Sequence, residues 1–111
     1  VFVHGDIGGD NIILSKDGGI YILDFADAVL APAAYEHSLV AIDVFTFNPA
    51  LLRGFFGDYT VESLTDICFD GLLIHDFGGD TVEEHICAPR ELNTLADLRR
   101  RIEERIRASA H

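Results

Sequence analysis

At 111 residues the chain has room for one small domain with a single modest core, and 49% apolar residues argue for folding rather than disorder. Eight Lys and Arg against 19 Asp and Glu give a formal charge of −11, and residues 1–94 carry only Lys16, Arg53 and Arg90 against 16 acids, a net of −13. That field argues against nonspecific nucleic-acid binding and against attachment to anionic membranes, and it suits a cationic partner or substrate.

Val1-Phe2-Val3 is a short apolar run that His4-Gly5 stops. Ile12-Ile13-Leu14 and Ile20-Tyr21-Ile22-Leu23 flank Ser15-Lys16-Asp17-Gly18-Gly19, a composition that favours the φ > 0 turns of hairpins. Residues 12–23 are therefore predicted to form a β-hairpin. Closing it brings Asn11 and Asp24 to the same end, with Asp6 in the loop just before.

Beyond the hairpin the pattern is helical. Residues 34–47 supply a broad apolar face through Leu39, Ile42, Val44 and Phe45. Asn48-Pro49 caps and starts a short apolar helix through Phe56, which Gly57-Asp58 ends. Thr60 caps a helix predicted over residues 61–77, whose stripe of Leu64, Ile67, Cys68, Phe69, Leu72, Leu73 and Ile74 implies a central position. His75-Asp76 lies near its end and reads as packing, because adjacent residues point differently on a helix. Gly78-Gly79-Asp80 reads as a break, and the T-x-x-E pattern of Thr81 and Glu84 predicts a helix starting there and running to Cys87. His85 has no partner ligand at helical spacing and stays outside the predicted site. Residues 88–91 form a connector, and Thr94 opens a final helix with Leu95, Leu98, Ile102 and Ile106 on its inner face. The arginines of that helix are interleaved with glutamates, as on a solvated surface.

Two isolated cysteines, Cys68 and Cys87, define neither a disulfide framework nor a thiolate metal site, which fits a reduced cytoplasmic setting. No stretch approaches 18 uncharged apolar residues, and the N-terminus lacks the pattern of a signal peptide, so no membrane attachment is expected.

The chemistry concentrates in His4-Gly5-Asp6 and the residues flanking the hairpin. Two carboxylates and an amide oxygen suit a hard divalent cation such as Mg²⁺, with one carboxylate left to orient or deprotonate a hydroxyl. The same residues also suit a plainer role as turn and cap groups accepting backbone N–H bonds. Gly8-Gly9 matches neither a Walker A nor a G-x-G-x-x-G loop, so no phosphate cradle is assigned to it.

His4-Gly5-Asp6 with Asn11 five residues on resembles the catalytic loop H-G-D-x-x-x-x-N of the aminoglycoside phosphotransferase-like small-molecule kinases, and Ile22-Leu23-Asp24-Phe25-Ala26-Asp27 resembles their metal-binding segment. Tyr35-Glu36 stands at the Y-D of their G-D-P-x-Y-D-L-A stretch, with Glu for Asp, while Pro32 and Ala33 depart from it. The resemblance implies Asp6 as the catalytic residue, Asn11 and Asp24 as ligands of Mg²⁺ that bind ATP by holding the metal against its triphosphate, and His4, Asp27 and Glu36 in supporting roles. His4 would be structural beneath the loop, and Glu36 would brace the loop backbone.

The fold implied is α+β: part of a protein-kinase-like C-terminal lobe, with residues 1–28 forming the catalytic loop, hairpin and metal-binding segment, and 29–111 the helical part. The nucleotide-covering lobe and its lysine are absent from these residues. Lys16, in the hairpin turn, does not replace that lysine. The expected partners are ATP, a small-molecule hydroxyl acceptor with a mild preference for a cationic one, and the missing lobe or a partner subunit. These 111 residues alone are expected to be inactive. The alternatives are a noncatalytic fragment or pseudoenzyme acting as an interaction module and, less well matched, a metal-dependent hydrolase.

Overall fold

A computed structural model describes residues 1–23, Phe25 and residues 28–110. Its architecture is mixed, with small antiparallel sheets at one end and packed helices at the other. The predicted hairpin is present: β2 (Ile12–Leu14) pairs antiparallel with β3 (Ile20–Ile22), with Ile12 opposite Ile22. The Leu23 N–H donates to the Asn11 carbonyl at 2.8 Å, extending the ladder by one step. At the turn, the Gly19 N–H donates to both Ser15 Oγ and Asp17 Oδ1, and the Ser15 hydroxyl also donates to Asp17 Oδ1; the hydroxyl bond first and the Gly19 N–H second hold the Asp17 carboxyl below its usual value.

The first apolar run forms β1 (Phe2–Val3), whose partner is β4 (Val29–Leu30), with Phe2 opposite Leu30. Two residues give no period for a sequence reading to detect, so β4 was not expected.

The helical part begins with α1 (Ala34–Leu39), which passes into a π-helical turn over Val40–Val44. The predicted single helix over 34–47 thus changes pitch midway and ends in Thr46 and Phe47 with φ of 45° and 59°. Phe47 is buried there, so core packing offsets the cost of a left-handed backbone on a bulky residue. In α2 (Pro49–Phe56) the Asn48 side chain accepts N–H bonds from Ala50 and Leu51, as predicted for that cap.

Thr60 caps α3 (Val61–Ile74) reciprocally with Ser63. This helix ends three residues before the predicted limit, and Leu73 and Ile74 are exposed. It is central nonetheless: α1 packs on its Gly71, and the last helix packs along it. A Cβ at Gly71 would collide with the Ala34 carbonyl and the Ser38 side chain, so the close crossing requires glycine.

The next helix, α4, spans Gly78–His85 and corrects the reading of Gly78-Gly79 as a break. Gly78 sits against the Leu72 carbonyl where a Cβ has no room, so close packing explains it. Thr81 is therefore inside the helix, its hydroxyl donating to the Phe77 carbonyl at 3.0 Å instead of capping. The final helix α5 (Leu95–Ser109) has the expected Thr94 cap, reciprocated by Asp97. Its Leu98, Ile102 and Ile106 are buried, whereas Leu95 is exposed. Arg99, Arg100 and Arg107 pair with Asp66, with Asp97 and Glu104, and with Glu103.

Ala41, Ile42, Phe47, Leu52, Leu64 and Cys68 are at the centre of the core. No helix among the described residues is long and apolar enough to cross a membrane.

Candidate active site

The loop after β1 is built on hydrogen bonds to its own backbone. Gly5 has φ of 89°, a conformation glycine adopts without steric cost, and it turns the chain so that the Asp6 N–H reaches back to His4 Nδ1 at 3.2 Å. A nitrogen that accepts an N–H carries no proton, so His4 Nε2 is the donor in its 2.6 Å bond to the Leu23 carbonyl. The buried His4 ring, 4.5 Å from the Phe25 ring, thus ties the loop to the far strand of the hairpin. Glu36, from α1, accepts the His4 backbone N–H at 2.8 Å.

Asn11 closes a 3₁₀ turn over Gly9–Asn11, and its Nδ2 donates to the Asp6 backbone carbonyl at 2.8 Å. That bond commits the amide nitrogen and leaves Oδ1 as an oxygen donor suited to a hard cation. The Asp6 carboxylate is half-buried, and no hydrogen bond engages it among the described residues. The structure therefore brings Asp6, Asn11, His4 and Glu36 into one bonded unit. The expected ligand Asp24 and the supporting Asp27 lie outside the described residues.

Asp6 and Asn11 line a cleft of about 320 Å³ whose other walls include Asp10, Asp43, Asp80 and Glu84. The π-helical turn and α4 supply the last three, so the acidic wall is assembled from segments far apart in sequence. Asp43 links them: its Oδ1 accepts the Gly9 N–H at 3.1 Å, and its Oδ2 lies 3.4 Å from His85 Nε2. Glu84 Oε2 is 3.7 Å from the same nitrogen. His85, left out of the predicted site, thus contacts the wall of the cleft; in the sequence Glu84 reads as a capping residue and Asp43 as part of a helix, and overall acidity is the sequence signal that points to either as part of a site.

On the other side of His4 is a more apolar hollow of about 540 Å³, lined by Phe2, Ile22, Phe25, Val40 and Phe55 among others. One face of the loop therefore meets carboxylates and the other meets aromatic and aliphatic groups.

Residues 1–68 match the model of the Phosphotransferase enzyme family. No curated protein and no solved structure matches the chain.

Proposed function

Because the chain belongs to the phosphotransferase enzyme family, we propose that the full-length protein transfers the γ-phosphoryl group of ATP to a hydroxyl of a small molecule, with these residues forming part of a kinase-like C-terminal lobe. The observation that carries this reading is the bonded unit of Asp6 and Asn11 at the wall of an acidic cleft. Asp6 would orient the acceptor hydroxyl and take its proton as the new O–P bond forms; the bond from the γ-phosphorus to the bridging oxygen breaks, and ADP leaves. Asn11, through Oδ1, and Asp24 would hold Mg²⁺, which neutralises phosphate charge in this class of reaction. His4 and Glu36 keep the Asp6 backbone in place without touching the reacting atoms.

The cleft favours an amine-bearing acceptor, because Asp10, Asp43, Asp80 and Glu84 surround the space beside Asp6. Transfer of labelled phosphate from ATP to a panel of amino sugars, amino alcohols and neutral polyols, with and without divalent metal, tests the reading. Metal-dependent transfer that Asp6→Asn abolishes while nucleotide still binds supports it. An Asp6→Asn variant as active as wild type removes Asp6 from the mechanism.

A noncatalytic interaction module draws support from one observation, the exposed Phe2, Leu14, Ile20 and Leu30 on the two small sheets. Nucleotide binding without transfer to any acceptor in the panel is the outcome that favours it.

A further inference from the structure

The peptide unit that carries Asp6 is bonded to one imidazole, and a second, buried imidazole packs on the part of α1 that braces the same loop. At the Asp6 N–H is His4, whose Nδ1 accepts at 3.2 Å. The second is His75, which ends α3 in an extended conformation (φ −77°, ψ 137°) and is only 6% exposed. The His75 ring packs on Tyr35, with centroids 4.1 Å apart, and its Nδ1 accepts the Phe77 N–H at 2.9 Å. The neutral ring must therefore hold its proton on Nε2. That nitrogen is buried and has no hydrogen-bond partner among the described residues, a costly state for a donor.

The charged and polar groups near enough to act on the ring come from its own segment, from α1 and from the loop that carries Asp6. Asp76 comes from its own segment, Asp6 and the Gly5 backbone acceptor from the catalytic loop, and Glu36 from α1; all four favour the protonated ring, and burial outweighs them. The Gly5 carbonyl is the backbone acceptor in that set, and it belongs to the same peptide unit as the Asp6 N–H.

We propose that His75 is a positioning residue for Asp6: a small turn of the ring lets its unpartnered Nε2–H take the Gly5 carbonyl as acceptor, so that two imidazoles clamp the Gly5–Asp6 peptide. The inference rests on the phosphoryl-transfer reading above. Gly5, at φ of 89°, is the point in the loop where the backbone rotates at least cost. A peptide free to rotate there would swing the Cα–Cβ bond of Asp6 and misdirect its carboxylate. Tyr35 and Glu36, neighbours on α1, serve both supports: Tyr35 carries the His75 ring, and Glu36 holds the His4 N–H.

The test uses the full-length protein with ¹⁵N-labelled histidine, together with two variants. His75→Leu keeps an apolar filler and removes the donor; His75→Gln restores a side-chain N–H. The expected result is a kcat about tenfold or more lower in His75→Leu, an unchanged KM for ATP, and recovery of most of the loss in His75→Gln. The labelled wild-type ring should show its proton on Nε2, protected from exchange. Equal losses of melting temperature in both variants with kcat per folded molecule unchanged would reduce His75 to packing and overturn the proposal. A proton on Nδ1, or a freely exchanging Nε2 proton, also overturns it and requires no acceptor substrate. Failure of the kinase reading is separately visible as a wild type that transfers no phosphate, and the labelled ring then decides the clamp alone.

Discussion

The Glu36 carboxylate accepts the backbone N–H of His4 at 2.8 Å across 32 residues of chain. This bond joins the start of the helical part to the loop that carries Asp6. Glu36→Ala would leave a half-buried N–H without its charged acceptor, a loss of about 1–3 kcal/mol. Urea unfolding should show a lower midpoint, and phosphoryl transfer should fall by more than the unfolded fraction accounts for. A variant with the wild-type midpoint would show that the loop does not depend on this brace.

The crossing of α1 and α3 depends on Gly71 in the same direct way. Gly71→Ala forces the Ala34 carbonyl and the Ser38 side chain to move, and such overpacking typically costs about 1–3 kcal/mol. Gly79→Ala is the control, since a Cβ there meets nothing within 4 Å. Thermal melts should separate the two variants clearly, and indistinguishable melts would mean that the helices can part without cost.

Asp80→Asn and Glu84→Gln remove charge from the cleft wall without touching Asp6. Each should raise KM for an amine-bearing acceptor several-fold and leave a neutral polyol unaffected, with added salt acting in the same direction. Equal changes for both acceptors would show that the carboxylates shape the cleft but do not select charge.

Burial pushes the Cys68 thiol from 9.0 up to about 12. Above pH 9 the unfolded chain gives up this proton while the folded chain keeps it, so the folded state binds more protons and stability falls as pH rises. The slope approaches about 1.4 kcal/mol per pH unit between those two values. Urea midpoints measured from pH 8 to 10.5 should fall in wild type and flatten in Cys68→Ala. In the same folded protein at pH 8, a thiol reagent should modify half-buried Cys87 before Cys68.

The legible parts of the sequence were those with local chemistry. The hairpin was readable because Asp17-Gly18-Gly19 separates two β-branched runs, and the caps at Asn48, Thr60 and Thr94 because each side chain bonds to a backbone within its own turn. Asp6 and Asn11 stood out through their spacing, and the structure adds the hydrogen bond that the Asn11 side-chain amide donates to the Asp6 carbonyl. What the sequence hid was non-local. Gly78 looked like punctuation because the Leu72 carbonyl it packs against becomes its neighbour only after α3 ends. The partnership of Asp43 with Gly9 and His85 depends on a π-helical turn, and no apolar period announces that change of pitch.

The hairpin and the small β1–β4 sheet leave Phe2, Ile13, Leu14, Ile20, Tyr21 and Leu30 in contact with water on a molecule of formal charge −11. Mutual repulsion is then the force that keeps those oily faces of separate molecules apart. At about 0.15 M ionic strength that repulsion reaches only about 8 Å, so purification in dilute buffer should yield monodisperse material, and raising the electrolyte should drive self-association before any change in the helical dichroism.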